Sequence, residues 1–409
     1  MKIDQLKLKN FRCFENINIE FSPHFNIIIG DNASGKTTLL RGGCVAISSF
    51  FLGIDEVPSR PIQKNDIRLV NYENSIEYCF PVEVAGWGTI ESEKLEWSRL
   101  RQRADKRAKT KLQNTEIKSI AERYQQQVRE GDCVNLPVIA YFSARRIWEP
   151  PEKMNLVEKG SRLRGYHNAI TPALNYKFFT EWFKTKEMAF LQNKTRHFEL
   201  QVVKKAVSQC IGQCEDIYYD IDIGALVMKF FDGKMIPFNR LSDGIRNMMA
   251  IVADIAYRCV TLNPHLKEKS LENDGVVLID ELDLHLHPSW QKKIVVDLKK
   301  IFPNIQFIAA THSPLILSTL TNEDRIIALE PDKLEYIEKL YGRDANDILS
   351  YPMKTKFINK DLEKYFELIE MGKGKSESAI EYRSKIEKES GADYHELAKA
   401  DVLLTFYEE

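Results

Sequence analysis

No apolar run in these 409 residues approaches the ~20 that a membrane-spanning helix needs, so no membrane-embedded function is expected. Cysteine is sparse. Seven thiols are scattered at Cys13, Cys44, Cys79, Cys133, Cys210, Cys214 and Cys259, odd in number and without a CxxC pair. That excludes a disulfide-stapled scaffold and points to free thiols in a reducing cytoplasm. The Cys210/Cys214 spacing would set two thiols on one helix face. Two further metal ligands are missing nearby, so packing is the expected role. An excess of charge is missing too: Lys and Arg number 58, Asp and Glu 59, for a net charge of −1. No global field therefore attracts nucleic acid, and any such binding must come from a local patch. The opening MKIDQLKLKNF is charged and patterned like a strand rather than a secretory leader, which again predicts a cytoplasmic chain. No repeat period is visible. Sustained heptads are lacking between residues 38 and 242, so no extended coiled-coil arm is expected there.

What is present is the composition of a globular chain, 44% hydrophobic and 29% charged, long enough for one large domain or two ordinary ones. Ile3, Leu6 and Leu8 alternate with polar residues, as do Ile17, Ile19 and Phe21, which predicts two half-buried strands. Phe25 to Ile29 is a short apolar run expected of a buried strand. Ile76 to Val84 is strand-like. Arg99 to Glu130 carries ten Lys or Arg against four Asp or Glu, which predicts a long, exposed, basic helix or helical hairpin. Two readings of that segment stand side by side: phosphate contacts to DNA or RNA, or a solvated face. Leu136 to Phe142 reads as a buried strand. Residues 145–215 read as mixed helix and loop, with an aromatic-rich helix around Phe178 to Phe183. Ile217 to Ile223 and Ala225 to Phe231 read as strands, and Asp232-Gly233 as a hairpin turn. Helices are expected from Ser242 to about Leu262 and from Ser289 to Ile301. Strands are expected at Val276 to Ile279 and Ile305 to Ala310. Residues 351–409 are charged and helical.

Four short pieces carry chemistry. Gly30-Asp31-Asn32-Ala33-Ser34-Gly35-Lys36-Thr37 matches GxxxxGK[ST] between a buried strand and a helix, the context this motif requires. Its glycines let the backbone wrap so that N–H groups face phosphate oxygens, and the helix N-terminus adds partial positive charge there. Lys36 is expected to hold the β- and γ-phosphates and Thr37 to ligate Mg²⁺. Val276 to Ile279 ends in Asp280-Glu281, delivering two carboxylates to a strand's carboxyl edge. Asp280 is expected on Mg²⁺ and Glu281 as general base toward water. Leu241-Ser242-Asp243-Gly244 opens a helix. Ser242 reads either as a plain N-cap or as a hydroxyl aimed at a γ-phosphate. Thr311-His312-Ser313-Pro314 follows a strand, and His312 reads as a core histidine or a γ-phosphate sensor.

In this order, the four pieces resemble the ATP-binding-cassette (ABC) ATPases, in the branch that holds RecF, Rad50 and the SMC proteins. Asn10-Phe11-Arg12-Cys13-Phe14 resembles the NFR-x-F opening of that branch. Leu241 to Gly244 resembles a shortened signature motif, with Asp243 where the second glycine usually stands. Glu281 to Pro288 is similar to a D-loop variant ending in HLHP, which makes His285 and His287 a structural turn near a dimer interface rather than a zinc site. Tyr341 to Leu349 resembles a segment of the Septu and retron-associated ATPases of anti-phage systems.

The resemblance implies an α/β fold. An ABC ATPase head with a mixed sheet around the phosphate loop, an antiparallel strand lobe and a helical lobe would occupy residues 1–350. It would carry a basic helical insertion at about 97–135. A helical tail, 351–409, would serve oligomerisation or partner docking. The resemblance also implies ATP and Mg²⁺ as ligands. Arg12, Gly30 to Thr37, Thr38, Asp280, Glu281 and His312 would act in one head, with Ser242 and Gly244 acting on the other head's nucleotide. Gln63 is the candidate for a glutamine loop. The implied function is a regulatory ATPase that forms a homodimer or higher homo-oligomer and controls an HNH-type nuclease. The alternative is a RecF-like repair ATPase acting directly on DNA. A transporter ATPase fits less well, since cradle and signature stand too far apart. No Glu followed by Asp-x-Asp appears after His312, so a built-in TOPRIM nuclease is not expected.

Overall fold

The computed structural model describes residues 1–73, 75–105, 109–144, 161–171, 176–193, 198–330, 333–338, 340–353, 360–390 and 395–406. Residues 106–108 of the basic segment lie outside the described residues. So do 145–160, 172–175 and 194–197 of the mixed region, and 354–359, 391–394 and 407–409 of the charged C-terminal stretch.

The chain opens with β1 (Lys2–Phe11), β2 (Phe14–Glu20), β3 (Phe25–Gly30) and α1 (Lys36–Ile47). Next come β4 (Leu69–Tyr72), β5 (Ser75–Tyr78), β6 (Val82–Ile90), β7 (Glu93–Arg101), β8 (Lys111–Gln113), α2 (Glu116–Glu130) and β9 (Val138–Phe142). α3 (Tyr176–Asn193) and α4 (Phe198–Cys210) lead to the hairpin strands β10 (Cys214–Asp220), β11 (Ala225–Phe230) and β12 (Met235–Pro237). The remaining elements are α5 (Asp243–Leu262), β13 (Gly275–Ile279), α6 (Pro288–Gln291), α7 (Ile294–Ile301), β14 (Ile305–Ala310), α8 (Pro314–Leu317), β15 (Arg325–Glu330), β16 (Lys333–Ile337) and α9 (Ala345–Ser350). Two compact units result, Met1–Ile348 and Leu349–Glu409.

The main sheet runs β16-β15-β3-β14-β13-β9. All neighbours in it are parallel except β15 and β16. Its strands β3, β14 and β13 are buried almost from end to end, because a parallel sheet is covered on both faces. Phe25 on β3 stacks on Phe307 of β14 with centroids 5.0 Å apart. An antiparallel sheet, β2-β1-β6-β7-β8, is set against it. Between the two lies α1, which is buried almost all round. A Cβ on Gly42 would meet Leu8 of β1 at 2.5 Å, and one on Gly43 would meet Leu278 of β13 at 3.4 Å. The Trp97 indole on β7 donates to the Ala46 carbonyl of α1 at 2.9 Å. Buried Gln306 joins the sheets by accepting from Ile3 N–H (2.8 Å) and donating to the Ile3 carbonyl (2.8 Å). A full polar set is what burial demands of an amide. A helical lobe holds α3, α4 and α5, with Trp182 of α3 edge-on to Tyr257 of α5 at 5.1 Å.

Several expectations need revision. The strand-like run 76–84 breaks at Pro81, which has no N–H to donate, so β5 ends at Tyr78 and β6 starts at Val82. The basic segment is not one exposed helix. Arg99 and Arg101 belong to β7 and are buried, with the Arg101 guanidinium donating to the Ile62 carbonyl at 2.7 Å. α2 buries Ile117, Ile120, Ala121, Tyr124 and Gln125, and its Tyr124 ring lies 6.1 Å from Phe50. The basic composition concealed that amphipathic face. Cys210 ends α4 and Cys214 opens β10, so the two thiols do not share a helix face. The expected helix 289–301 is split into α6 and α7.

The smaller unit packs α10 (Lys360–Glu370), α11 (Glu377–Ser390) and α12 (His395–Phe406) around Leu362, Tyr365, Ile369, Ala379, Ile386, Leu397 and Ala400.

Gly275 opens β13 where a Cβ would sit 2.1 Å from the Val138 carbonyl oxygen of β9, a backbone atom that cannot turn aside. Gly275→Ala is therefore expected to lower unfolding stability by about 1–3 kcal/mol, the usual cost of overpacking, measured as a reduced urea midpoint.

Candidate nucleotide site

The parallel strands point their carboxyl ends to one edge, where open α/β sheets bind ligands. β3 delivers Gly30 there, β13 delivers Asp280 and β14, lying between them, delivers Thr311. Gly30 takes φ 147, and a Cβ on it would lie 2.3 Å from the Leu329 carbonyl oxygen. Gly35 caps α1 at φ 103, and a Cβ there would meet the Phe14 ring at 2.5 Å. Both positions demand glycine for backbone conformation and for space. The loop between them turns on a bond from Ser34 N–H to the Asp31 carbonyl at 3.2 Å. α1 then starts with first-turn N–H groups that have no intrahelical partner.

Lys36 is buried, and its ammonium donates to the Gly30 and Asp31 carbonyls at 2.7 and 2.8 Å. Burial pushes its pKa down, while Asp280, Asp31, Asp283 and Glu281 oppose that shift. The Thr37 hydroxyl donates to Asp280 Oδ1 at 3.2 Å, although 243 residues separate them in sequence. Asp280 is 3% exposed. Glu281 follows with φ 50, a left-handed conformation that costs a non-glycine residue on the order of 1–3 kcal/mol and clusters at functional sites. Leu282 N–H donates to the Ala310 carbonyl at 2.8 Å, tying this turn to β14.

These groups surround a cavity of ≈ 330 Å³, lined by Arg12, Cys13, Asn32, Ala33, Gly35, Lys36, Thr37, Thr38, Asp280, Glu281, Ala310, Thr311 and His312. Ten of the residues marked in the sequence therefore meet here. Gly30 and Asp31 supply the loop carbonyls behind Lys36. Ser34 lines a neighbouring cavity with Phe14, Glu330 and Lys333. Ser242 and Gly244 do not line the nucleotide-sized cavity. Gln63 does not line it either, and its N–H donates to Asp66 Oδ2 at 3.1 Å. His287 caps α6, its Nδ1 accepting from Ser289 N–H at 3.3 Å.

Thr37 and Asp280 present two hard oxygens side by side at the cavity wall. That donor set suits Mg²⁺, which commonly takes one or two protein oxygens and completes its shell with phosphate and water. Among the described residues, no group of three or more His, Cys, Asp or Glu is arranged to hold a metal ion.

Two residues of this arrangement escaped sequence reasoning. Buried Asp66 holds Arg12 at the cavity: Arg12 Nε lies 3.4 Å from Asp66 Oδ1, and Arg12 N–H donates to the Asp66 carbonyl at 2.9 Å. Asp283 Oδ1 accepts from the Thr311 hydroxyl (2.5 Å) and from His312 N–H (3.2 Å). Each acid stands in a segment already marked, but only the pairing across the fold reveals its task.

Residues 5–215, more than half of the chain, match the model of a family described as an AAA domain. Residues 217–318 match one described as "AAA domain, putative AbiEii toxin, Type IV TA system". The chain is 37% identical to the Septu protein PtuA of Bacillus thuringiensis, across 83% of this chain and 78% of that protein. This chain belongs to the ABC-type ATPases of the RecF, Rad50 and SMC branch, together with the Septu PtuA and retron ATPases. It is also 26% identical to the Retron Vc95 probable ATPase of Vibrio cholerae serotype O1 biovar El Tor, over 86% of this chain and 78% of the relative. Among solved structures, an SmcHead bound to the C-winged helix domain of ScpA is similar, with 15% identity and a TM-score of 0.48. It covers 82% of this chain and 97% of that one.

For this ATPase, Lys36→Ala removes the one ammonium seated inside the phosphate loop. Loss of charge-assisted hydrogen bonds worth about 1.5–3 kcal/mol is expected to weaken ATP binding roughly tenfold to a hundredfold, read by titration with a fluorescent ATP analogue.

Proposed function

We propose that the chain is the ATP-hydrolysing regulatory subunit of an anti-phage defence complex, in which two heads close on nucleotide and thereby control a partner nuclease. The observation that carries this reading is the convergence of Lys36, Thr37, Asp280, Glu281 and His312 on one cavity. In that cavity the triphosphate lies over the α1 N-terminus, with Lys36 donating to β- and γ-oxygens. Bound to Thr37 and Asp280, Mg²⁺ would neutralise charge on those oxygens. Glu281 accepts a proton from the attacking water as its oxygen bonds to the γ-phosphorus and the β–γ bridge bond breaks. His312 donates a hydrogen bond to the γ-phosphate.

The second head supplies what the first lacks. Ser242 stands at the N-cap of α5 and is exposed, and its side chain makes no capping hydrogen bond. Its hydroxyl and the helix N-terminus suit the γ-phosphate of a nucleotide held by the facing head. ATP then acts as a switch, because a nucleotide touched by both heads binds the closed dimer better than the open one. In this reading the partner is an HNH-type nuclease. The smaller unit, Leu349–Glu409, serves as the docking or oligomerisation module in this reading.

Glu281→Gln is expected to keep ATP affinity while hydrolysis falls on the order of a hundredfold or more, with ATP-bound dimers accumulating in sizing experiments. Wild-type turnover in this variant would falsify the base assignment. Co-expression with an adjacent HNH-type gene should yield a complex whose nuclease activity ATP suppresses. ATPase activity stimulated by DNA alone, with no nuclease partner, would instead support the RecF-like alternative.

A further inference from the structure

The turn after the acid pair is held from two sides. On one side Asp283 accepts two hydrogen bonds at a single carboxylate oxygen, from the Thr311 hydroxyl and from the His312 backbone N–H. Thr311 is fully buried, and its hydroxyl oxygen also accepts from Ser313 N–H at 3.0 Å. The backbone on both sides of His312 is thereby fixed, while the residue itself is exposed and lines the nucleotide cavity. On the other side the turn is gripped by α5. Buried Asn247 donates to the Leu284 carbonyl at 2.9 Å. Gly244 lies so close to the turn that a Cβ on it would stand 2.5 Å from the His285 carbonyl oxygen. Gly244 is thus required by packing within its own head, whatever it does toward a second one. Two left-handed non-glycine residues, Glu281 (φ 50) and His285 (φ 59), bracket the turn. Such conformations persist only where the surroundings over-determine them.

We propose that Asp283 is a positioning residue for hydrolysis, setting the backbone from which His312 reaches the γ-phosphate, with Asn247 anchoring the turn that carries it. This rests on the reading of His312 as a nucleotide-contacting group. Neither Asp283 nor Asn247 lines the cavity, so both act through another residue. The anchor also links the start of α5, the element offered to a facing head, to His312 of its own head through two hydrogen-bonded steps. Closure on one nucleotide is therefore felt at the histidine that serves the other.

The test uses the full chain. Asp283→Ala should lower kcat on the order of tenfold to a hundredfold, the scale of a misplaced catalytic group, with the KM for ATP nearly unchanged. Asp283→Asn keeps an oxygen acceptor and should restore most of the rate. In the His312→Ala background, Asp283→Ala should cost almost nothing further, because residues that act as a unit are not additive. Asn247→Ala should reproduce the kcat loss in milder form. Full additivity with His312→Ala, or a change in KM alone, overturns the proposal. Histidine-ring NMR of the nucleotide-free protein reads the positioning directly, with the His312 signal assigned by its absence in His312→Ala. That signal should shift in Asp283→Ala and stay put in Asp283→Asn. An unmoved signal in Asp283→Ala also overturns the proposal. If instead His312→Ala hydrolyses ATP normally while the NMR shift appears, Asp283 still positions His312, and it is the γ-phosphate role that fails.

Discussion

Thr37 and Asp280 touch at 3.2 Å across 243 residues of sequence, and the rest of the site hangs on the condition that makes this contact possible. Both sit just beyond the carboxyl ends of parallel strands, β3 and β13, with β14 between them. In a parallel arrangement every strand end faces the same edge, so a loop, an acid pair and a histidine from three distant segments meet without long reaching side chains. The register of β14 is held on both flanks, by Phe307 opposite Phe25 and by Phe307 opposite Val277. A slip of one residue would invert its side chains and move Thr311 off the edge.

α1 is the second constraint. It joins the phosphate loop to the core by lying between the two sheets, where Gly42 and Gly43 admit Leu8 and Leu278. Its start is therefore as rigid as the core around it. Lys36 is buried at that start, beneath carbonyls of its own loop, with four carboxylates opposing the loss of its charge. The cation is kept at the cavity because the surrounding acids offset part of the desolvation that burial imposes.

Charge elsewhere is handled by similar rules. Arg99 and Arg101, which look solvated in the sequence, are bound by their neighbours, as is Arg12 at the cavity. Arg12 is held by Asp66, Arg99 donates to Ser59 at 2.9 Å, and Arg101 donates to carbonyls of Ile62 and Arg103. A count of basic residues between 99 and 130 therefore overstates the cations available to a phosphate backbone. α2 adds the same lesson, since a helix poor in aromatics still buries Tyr124 against Phe50.

The sequence by itself determined the local chemistry of the nucleotide loop. Phe25 to Ile29 must be buried, Gly30 and Gly35 must supply the turn, and Lys36 must open a helix, all within a dozen residues and all by short-range rules. The pair Asp280-Glu281 was legible for the same reason, as a buried strand running into two acids. Only the tertiary structure decided that β14 is inserted between β3 and β13, that Asp66 rather than Gln63 reaches toward the cavity by way of Arg12, and that Asp283 holds the backbone of His312. It also decided that Gly244 is small because His285 leaves no room beside it. These are pairings between segments whose separate sequences say nothing of each other, and a hydrogen bond or a close approach exists only once the sheet order has brought both partners to the same edge.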